Sequence, residues 1–293
     1  MATNADALPH VEGARHRDVH TRGARFHVAE AGPDDGPPVV LLHGWPQHWY
    51  EWRDAMPALA QAGARVVAPD LRGFGWSEIT KRGYRKPELA QDVLAILDEL
   101  GIDRFALAGH DWGGYVAFLL GLEHADRVER LLLINTGHGF VKRDLKTLRA
   151  QAGFWYMPLL GTPVLGPTIV RRGVHERLLV SGGAVRGAWS DDERRIFIDR
   201  TDPHVTQQVY GSFVYAEALP AMLRRANRRL RPKTLFLHGD ADPAIRPDFI
   251  RGLEDHADDY RLELLPGLGH FCIEEAPEVV VPKMVDFLVA DAD

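Results

Sequence analysis

Gly109-His110-Asp111-Trp112-Gly113-Gly114 is the stretch that decides the fold. It follows the apolar run Phe105-Ala106-Leu107-Ala108 and leads into a helical pattern that starts at Trp112 and reaches about Glu123. A buried strand that turns at once into a helix, with glycines on both sides of the turn, has the form G-x-Nuc-x-G. The glycines allow a sharp backbone turn and keep the central side chain exposed at the strand end. That side chain is Asp111, and no Gly-x-Ser-x-Gly occurs anywhere in the chain to compete with it. Taken alone, Asp111 could equally be an ordinary helix N-cap, so its meaning depends on partners elsewhere.

Outward from this turn, short apolar runs alternate with helical patterns, which predicts βαβ units and a mostly parallel sheet. Strands are expected at 39–42, 65–68, 105–108, 130–134, 234–237 and 261–264, nearly continuous in apolar residues as doubly buried strands are. Residues 24–31 alternate more and are expected to form an edge hairpin. Helices are expected at 87–100, opened by Pro87 and closed by Gly101, and at 277–290. Residues 137–219 break the rhythm: they are rich in aromatics, helical in pattern and without a good strand. They are expected to form a helical cap over the carboxyl ends of the strands, where open α/β sheets hold ligands. The expected core domain is then 1–136 together with 220–293, with 137–219 inserted as a lid.

A nucleophile at such a turn needs an acid and then a histidine later in the chain. Leu237-His238-Gly239-Asp240-Ala241-Asp242-Pro243 runs from a strand into an acidic loop, and Gly267-Leu268-Gly269-His270-Phe271 follows the next strand. Asp242 and His270 are the candidates, with Asp240 a rival to Asp242. His238 beside the two aspartates raises a metal, but the spacing matches no known ligand set, so neither a metal nor another cofactor is expected. His43-Gly44-Trp45-Pro46 follows the strand at 39–42. The backbone N–H groups of Trp45 and Trp112 are the candidate oxyanion hole, with a cis bond before Pro46 expected to turn the Trp45 amide inward.

The chain resembles the epoxide hydrolases and haloalkane dehalogenases of the α/β-hydrolase fold, over about residues 22–288. The motifs that carry the resemblance are HGWP at 43–46, DLRGFGWS at 70–77, GHDWGG at 109–114, HGDADP at 238–243 and GLGHF at 267–271. The resemblance implies an α/β-hydrolase fold, a mostly parallel doubly wound sheet with an inserted helical cap, and an aspartate nucleophile. It also implies two cap tyrosines that bind and protonate an epoxide oxygen. The first resembles Tyr156. The second resembles Tyr210, although Gly211 departs from the residue that more often follows, which leaves Tyr215 as a substitute. Trp45, Pro46, Trp112, Trp155 and Tyr215 are expected to contact substrate.

An aspartate nucleophile restricts the chemistry. A carboxylate attacking an ester or amide carbonyl gives an anhydride and gains little, whereas attack on a saturated carbon gives a usable alkyl ester. With an ordinary pKa near ~3.9, a carboxylate is ionised at pH 7 and needs no base, which leaves the histidine free to activate water. An opening epoxide needs a proton and a departing halide needs only N–H donors, so the two tyrosines favour an epoxide hydrolase. A haloalkane dehalogenase and a catalytically silent receptor on the same fold are the alternatives.

Composition excludes other classes. The 293 residues are 45% hydrophobic with a formal net charge of −6, which gives no global attraction to nucleic acid or to an anionic membrane. The basic run Arg224, Arg225, Arg228, Arg229, Arg231 and Lys233 reads as a solvated face. The single cysteine, Cys272, forbids an intrachain disulfide, and the polar start lacks the apolar segment of a signal peptide. The expectation is a cytoplasmic enzyme, monomer or homodimer, acting on a small apolar epoxide.

Overall fold

The computed structural model describes residues 7–185, 187–218 and 228–289. Eight strands form one sheet: β1 Arg15–Thr21, β2 Ala24–Ala31, β3 Pro38–Leu42, β4 Arg65–Pro69, β5 Phe105–His110, β6 Val128–Ile134, β7 Lys233–Gly239 and β8 Tyr260–Leu265. Their order is β1-β2-β4-β3-β5-β6-β7-β8. Every neighbouring pair from β4 to β8 is parallel. The expected hairpin is present, but β1 is its edge strand; β2 lies inside, antiparallel to both β1 and β4. All six expected strands are found, most of them longer by a residue or two.

Period-two alternation sorts each strand onto two cores. Val39, Leu41, Ala106 and Ala108 pack with Met56 and Leu59 of α1 (Ala55–Gln61) and with Val280 and Met284 of the C-terminal helix Pro277–Leu288. Val40, Leu42 and Leu107 pack with Leu89, Val93 and Leu97 of α2 (Lys86–Glu99) and Val116 and Leu120 of α3 (Asp111–Glu123). With helices on both faces, the strands gain nothing from polar residues, which is why they read as continuous apolar runs.

Register then fixes where the loops emerge. Leu42 pairs with Gly109, His110 with Ile134, and Ile134 with Leu237. The chain therefore leaves β3, β5, β6 and β7 at nearly the same level, at the carboxyl edge. Between β6 and β7 come only helices among the described residues: α4 Leu145–Ala150, α5 Tyr156–Gly161, α6 Leu165–Arg171, α7 Val174–Gly182, α8 Asp191–Ile198 and α9 Pro203–Ser212. The last continues into a π-helical turn, Phe213–Glu217. Asp202 starts α9 by accepting from the His204 and Val205 N–H groups, with Pro203 in the first turn.

The carboxyl end of the insert and part of the basic run, Arg224 and Arg225, lie outside the described residues. Arg228 pairs with Glu123 and Arg229 with Asp258, all at the surface. No helix among the described residues is long and apolar enough to cross a membrane.

Gly113 lets α3 approach β3 closely. A Cβ there would lie 2.2 Å from the Leu42 carbonyl oxygen. Gly113→Ala is expected to force α3 away from β3 and lower the melting temperature by roughly 5 °C or more, the scale of an overpacked core position; a thermal melt with no shift would show that the helix can slide without cost.

Candidate active site

Asp111 is the first residue of α3, with φ 47°, one of three non-glycine residues found in the left-handed region among those described. Such a conformation costs on the order of 1–3 kcal/mol for a non-glycine residue and persists only where its surroundings hold it. Here they do. Thr136 Oγ1 donates to the Asp111 carbonyl at 2.6 Å, and the Trp45 N–H donates to Asp111 Oδ2 at 2.9 Å. Gly44 lets the loop after β3 come this close, since a Cβ on it would meet the Asp111 Cβ at 2.5 Å. The Trp45–Pro46 bond is cis.

His270 Nε2 stands 3.7 Å from Asp111 Oδ1, and its Nδ1 bonds Asp242 Oδ2 at 2.8 Å. Asp242 Oδ2 also accepts from Asn135 Nδ2 at 2.8 Å, and Oδ1 accepts from the Ala244 and Ile245 N–H groups at 2.7 and 2.9 Å. Burial works against ionising Asp242, yet the charge of and hydrogen bond to His270, with Asn135 assisting, hold its pKa below the usual carboxylate value. The rival Asp240 is exposed and accepts from the Gly267 N–H at 2.7 Å. His238 bonds the Ile245 carbonyl, and no metal-binding cluster is found among the described residues.

A buried charged layer lies beneath the elbow. His110 Nε2 donates to the His270 carbonyl at 2.8 Å, while its Nδ1 is 3.0 Å from Glu51 Oε1. Glu51 Oε2 accepts from the Gly44 N–H at 3.1 Å. One carboxylate thus ties the loop of Trp45 to the residue before Asp111. Burial alone would lower the His110 pKa, but the Glu51 contact prevails and raises it to about 9. Burial and the Glu51 charge together push Glu274 up to about 8, against the pull of Arg53 and His110.

Tyr156 and Tyr210 face Asp111 from the insert. Their ring centroids are 6.0 Å apart, and the Tyr210 ring lies edge-on to Trp45 at 5.3 Å and to Trp112 at 5.4 Å. Burial, with the nearby Asp111 charge, raises both phenol pKa values well above the usual one. Two cavities meet at Asp111, Tyr156 and Tyr210. The larger, about 330 Å³, is lined mainly by apolar groups such as Trp112, Phe154, Met157, Phe213 and Phe249. The smaller, about 230 Å³, includes Trp45, Trp155, Ser181 and His270.

Two expectations need correction. Tyr215 is 62% exposed, its hydroxyl donates to the Pro158 carbonyl, and it lines neither cavity. It lies in the π turn beyond α9, so its side chain has rotated away from Asp111. Pro46 is buried behind Trp45, its carbonyl accepting from Thr201 Oγ1, and also lines neither cavity. Trp155 is 66% exposed and reaches only the smaller cavity. Asn135, Thr136 and Glu51 escaped the sequence reading, because a single polar residue at a strand end or in a short helical turn carries no spacing signal.

The α/β-hydrolase fold family model matches residues 37–277, and the chain belongs to that family. Among its relatives, the soluble epoxide hydrolase of Corynebacterium sp. (strain C12) is 46% identical over 127 residues, 43% of each chain. The match thus spans less than half the length of that relative. Epoxide hydrolase A of Mycobacterium tuberculosis (strain H37Rv) is 28% identical over 93% of this chain and 96% of its own. The crystal structure of epoxide hydrolase A from Mycobacterium thermoresistibile superposes with a TM-score of 0.81 at 26% identity, covering 94% of this chain and 98% of that one.

The layer of Glu51, His110 and Glu274 predicts a pH dependence of stability. A histidine whose folded pKa is raised to about 9 stabilises most below its unfolded value near ~6.5 and loses that contribution as pH rises through 9. Glu274, raised to about 8, acts in the same direction, since the native state holds its proton longer. The melting temperature is expected to fall between pH 5 and 9, and to fall less in Glu51→Gln. An equal slope in both proteins would remove the linkage.

Proposed function

We propose that the protein is an epoxide hydrolase that opens a small apolar epoxide to a vicinal diol through an alkyl ester on Asp111. The observation that carries this reading is the pairing of a carboxylate at the elbow with two tyrosines across the same cavity, Tyr210 buried and Tyr156 partly buried, whose phenol pKa values are raised. A carboxylate aimed at saturated carbon needs no base, and a leaving alkoxide needs an acid. The full-length likeness to proteins named epoxide hydrolase supports it.

In the first step the Asp111 carboxylate attacks a ring carbon, the carbon–oxygen bond of that carbon breaks, and a proton passes from Tyr156 or Tyr210 to the freed oxygen. In the second, His270 takes a proton from water and the hydroxide attacks the Asp111 carbonyl carbon. The Trp45 and Trp112 amides receive the oxyanion, and Asp242 stabilises the imidazolium. The ester bond then breaks. The diol leaves with the proton held by His270, and the proton released as Asp111 re-ionises restores the tyrosine. The two cavities divide the substituents of the epoxide between a larger apolar space and a smaller one.

Turnover of styrene oxide against 1-bromobutane tests the reading: epoxide turnover is expected, bromide turnover alone would make the protein a dehalogenase, and binding without turnover would make it a receptor. Tyr156→Phe and Tyr210→Phe are each expected to slow epoxide opening on the order of 10²-fold, the scale of general-acid catalysis, with Tyr215→Phe neutral. His270→Gln is expected to open the epoxide and stall, its intact mass raised by one substrate and the adduct mapped to Asp111. An inactive His270→Gln with no adduct would contradict this division of labour, meaning either that the histidine is needed for the first step or that water attacks the substrate directly.

A further inference from the structure

We propose that Lys86 is a positioning residue that holds Tyr210 and Trp112 in place from behind the site. Lysine is almost never fully buried, yet the Lys86 side chain is 0% exposed. The mechanism above does not use it. It stands at the first residue of α2, next to Pro87, where the helical pattern asks only for a residue that can enter a first turn.

Its contacts converge on the two groups that face the substrate. The ammonium nitrogen lies 4.1 Å from the centroid of the Trp112 ring and 5.2 Å from that of Phe213, within cation–π range. It donates to the carbonyl of Val209, the peptide that leads directly into Tyr210. Ser212 Oγ stands 3.5 Å away and Glu217 Oε1 3.9 Å. Glu217 Oε2 in turn accepts from the Lys86 backbone N–H at 2.8 Å. One residue of the core thus grips α9 at the peptide before Tyr210, grips the π turn through Glu217, and presses on the indole that makes a T-shaped contact with the Tyr210 ring, centroids 5.4 Å apart. An apolar side chain could fill the volume, but it could not donate to the Val209 carbonyl or pair with Glu217.

The charge of this latch is within reach of ordinary pH. Burial lowers the Lys86 pKa to about 8, with Glu217 and Asp111 opposing the shift. These are the charged groups that act on it, from the π turn and from α3. Below pH 8 the cation is present and the latch holds; above it the neutral amine loses the ion pair and the cation–π contact.

The inference rests on the epoxide-opening reading for its kinetic test, so a second readout is independent of turnover. In single-turnover kinetics Lys86→Met is expected to slow intermediate formation about tenfold, the scale of a single charge-assisted hydrogen bond, with ester hydrolysis within about twofold of wild type. The wild-type opening rate should decline as pH rises past 8, and Lys86→Met should lack that limb. Protein labelled with 3-fluorotyrosine, its Tyr210 resonance assigned by Tyr210→Phe, should show a fluorine shift that titrates near pH 8, a titration Lys86→Met abolishes. This wild-type titration stands even if the variant fails to fold. Absence of epoxide turnover with the fluorine titration intact would overturn the functional reading and leave the latch. A Tyr210 resonance that does not titrate, or an opening rate in Lys86→Met equal to wild type, would overturn the latch.

Discussion

The hydrogen bond from the Trp45 N–H to the Asp111 carboxylate, 2.9 Å across the top of two adjacent parallel strands, is the contact on which the site depends. It exists because β3 and β5 end level with each other, Leu42 beside Gly109. It is possible only because Gly44 and Gly113 remove the two Cβ atoms that would separate loop, elbow and strand. The cost is a strained aspartate at φ 47°, offset by the bonds that Thr136 and Trp45 make to it. In the proposed ester hydrolysis, an amide already aimed at a carboxylate oxygen would need no reorganisation as that oxygen becomes an oxyanion, which is the condition for electrostatic catalysis.

The same geometry separates two kinds of proton chemistry. Above Asp111, burial keeps Tyr156 and Tyr210 protonated. Beside it, Asp242 is kept ionised by His270 and by the N–H groups of Ala244 and Ile245. Beneath it, Glu51 keeps His110 charged, and His110 holds the His270 carbonyl. Donors and acceptors are thus set by position in the fold: phenols from the insert, a carboxylate–imidazole pair from the loops after β7 and β8, and the Trp45 amide from the loop after β3. A group moved from one layer to another would carry the wrong protonation state for the step proposed for it.

Much of this was legible in the sequence, for physical reasons. Doubly buried strands must be apolar throughout, so the inner parallel strands β3, β4, β5, β6 and β7 were readable, and the glycines of 109–114 announced a turn too tight for side chains; β8 was found too, although it is the far edge of the sheet with Leu262 and Leu264 exposed. Asp242 and His270 could be named because each follows a recognisable strand. Their final partners could not, because Asn135, Thr136 and Glu51 act through single contacts between distant segments, and nothing in their local spacing reveals that. Tyr215 was misplaced for a related reason. A π turn adds a residue to the helix and rotates everything after it, so equal spacing along the chain no longer means one face. The hairpin was found but its edge strand was not, since β1 is polar and exposed along most of its length.

Isotope labelling in a single turnover tests the proposed covalent role of Asp111 most directly. Enzyme in excess over an epoxide it turns over would be reacted once in H₂¹⁸O, then both the diol and the peptide containing Asp111 weighed. If water attacks the carboxyl carbon of the enzyme, as proposed, the label is expected in Asp111, and the diol of that first turnover should carry only unlabelled oxygen. Label in the first-turnover diol with an unlabelled Asp111 would mean that water attacks the epoxide itself, with Asp111 serving as a base.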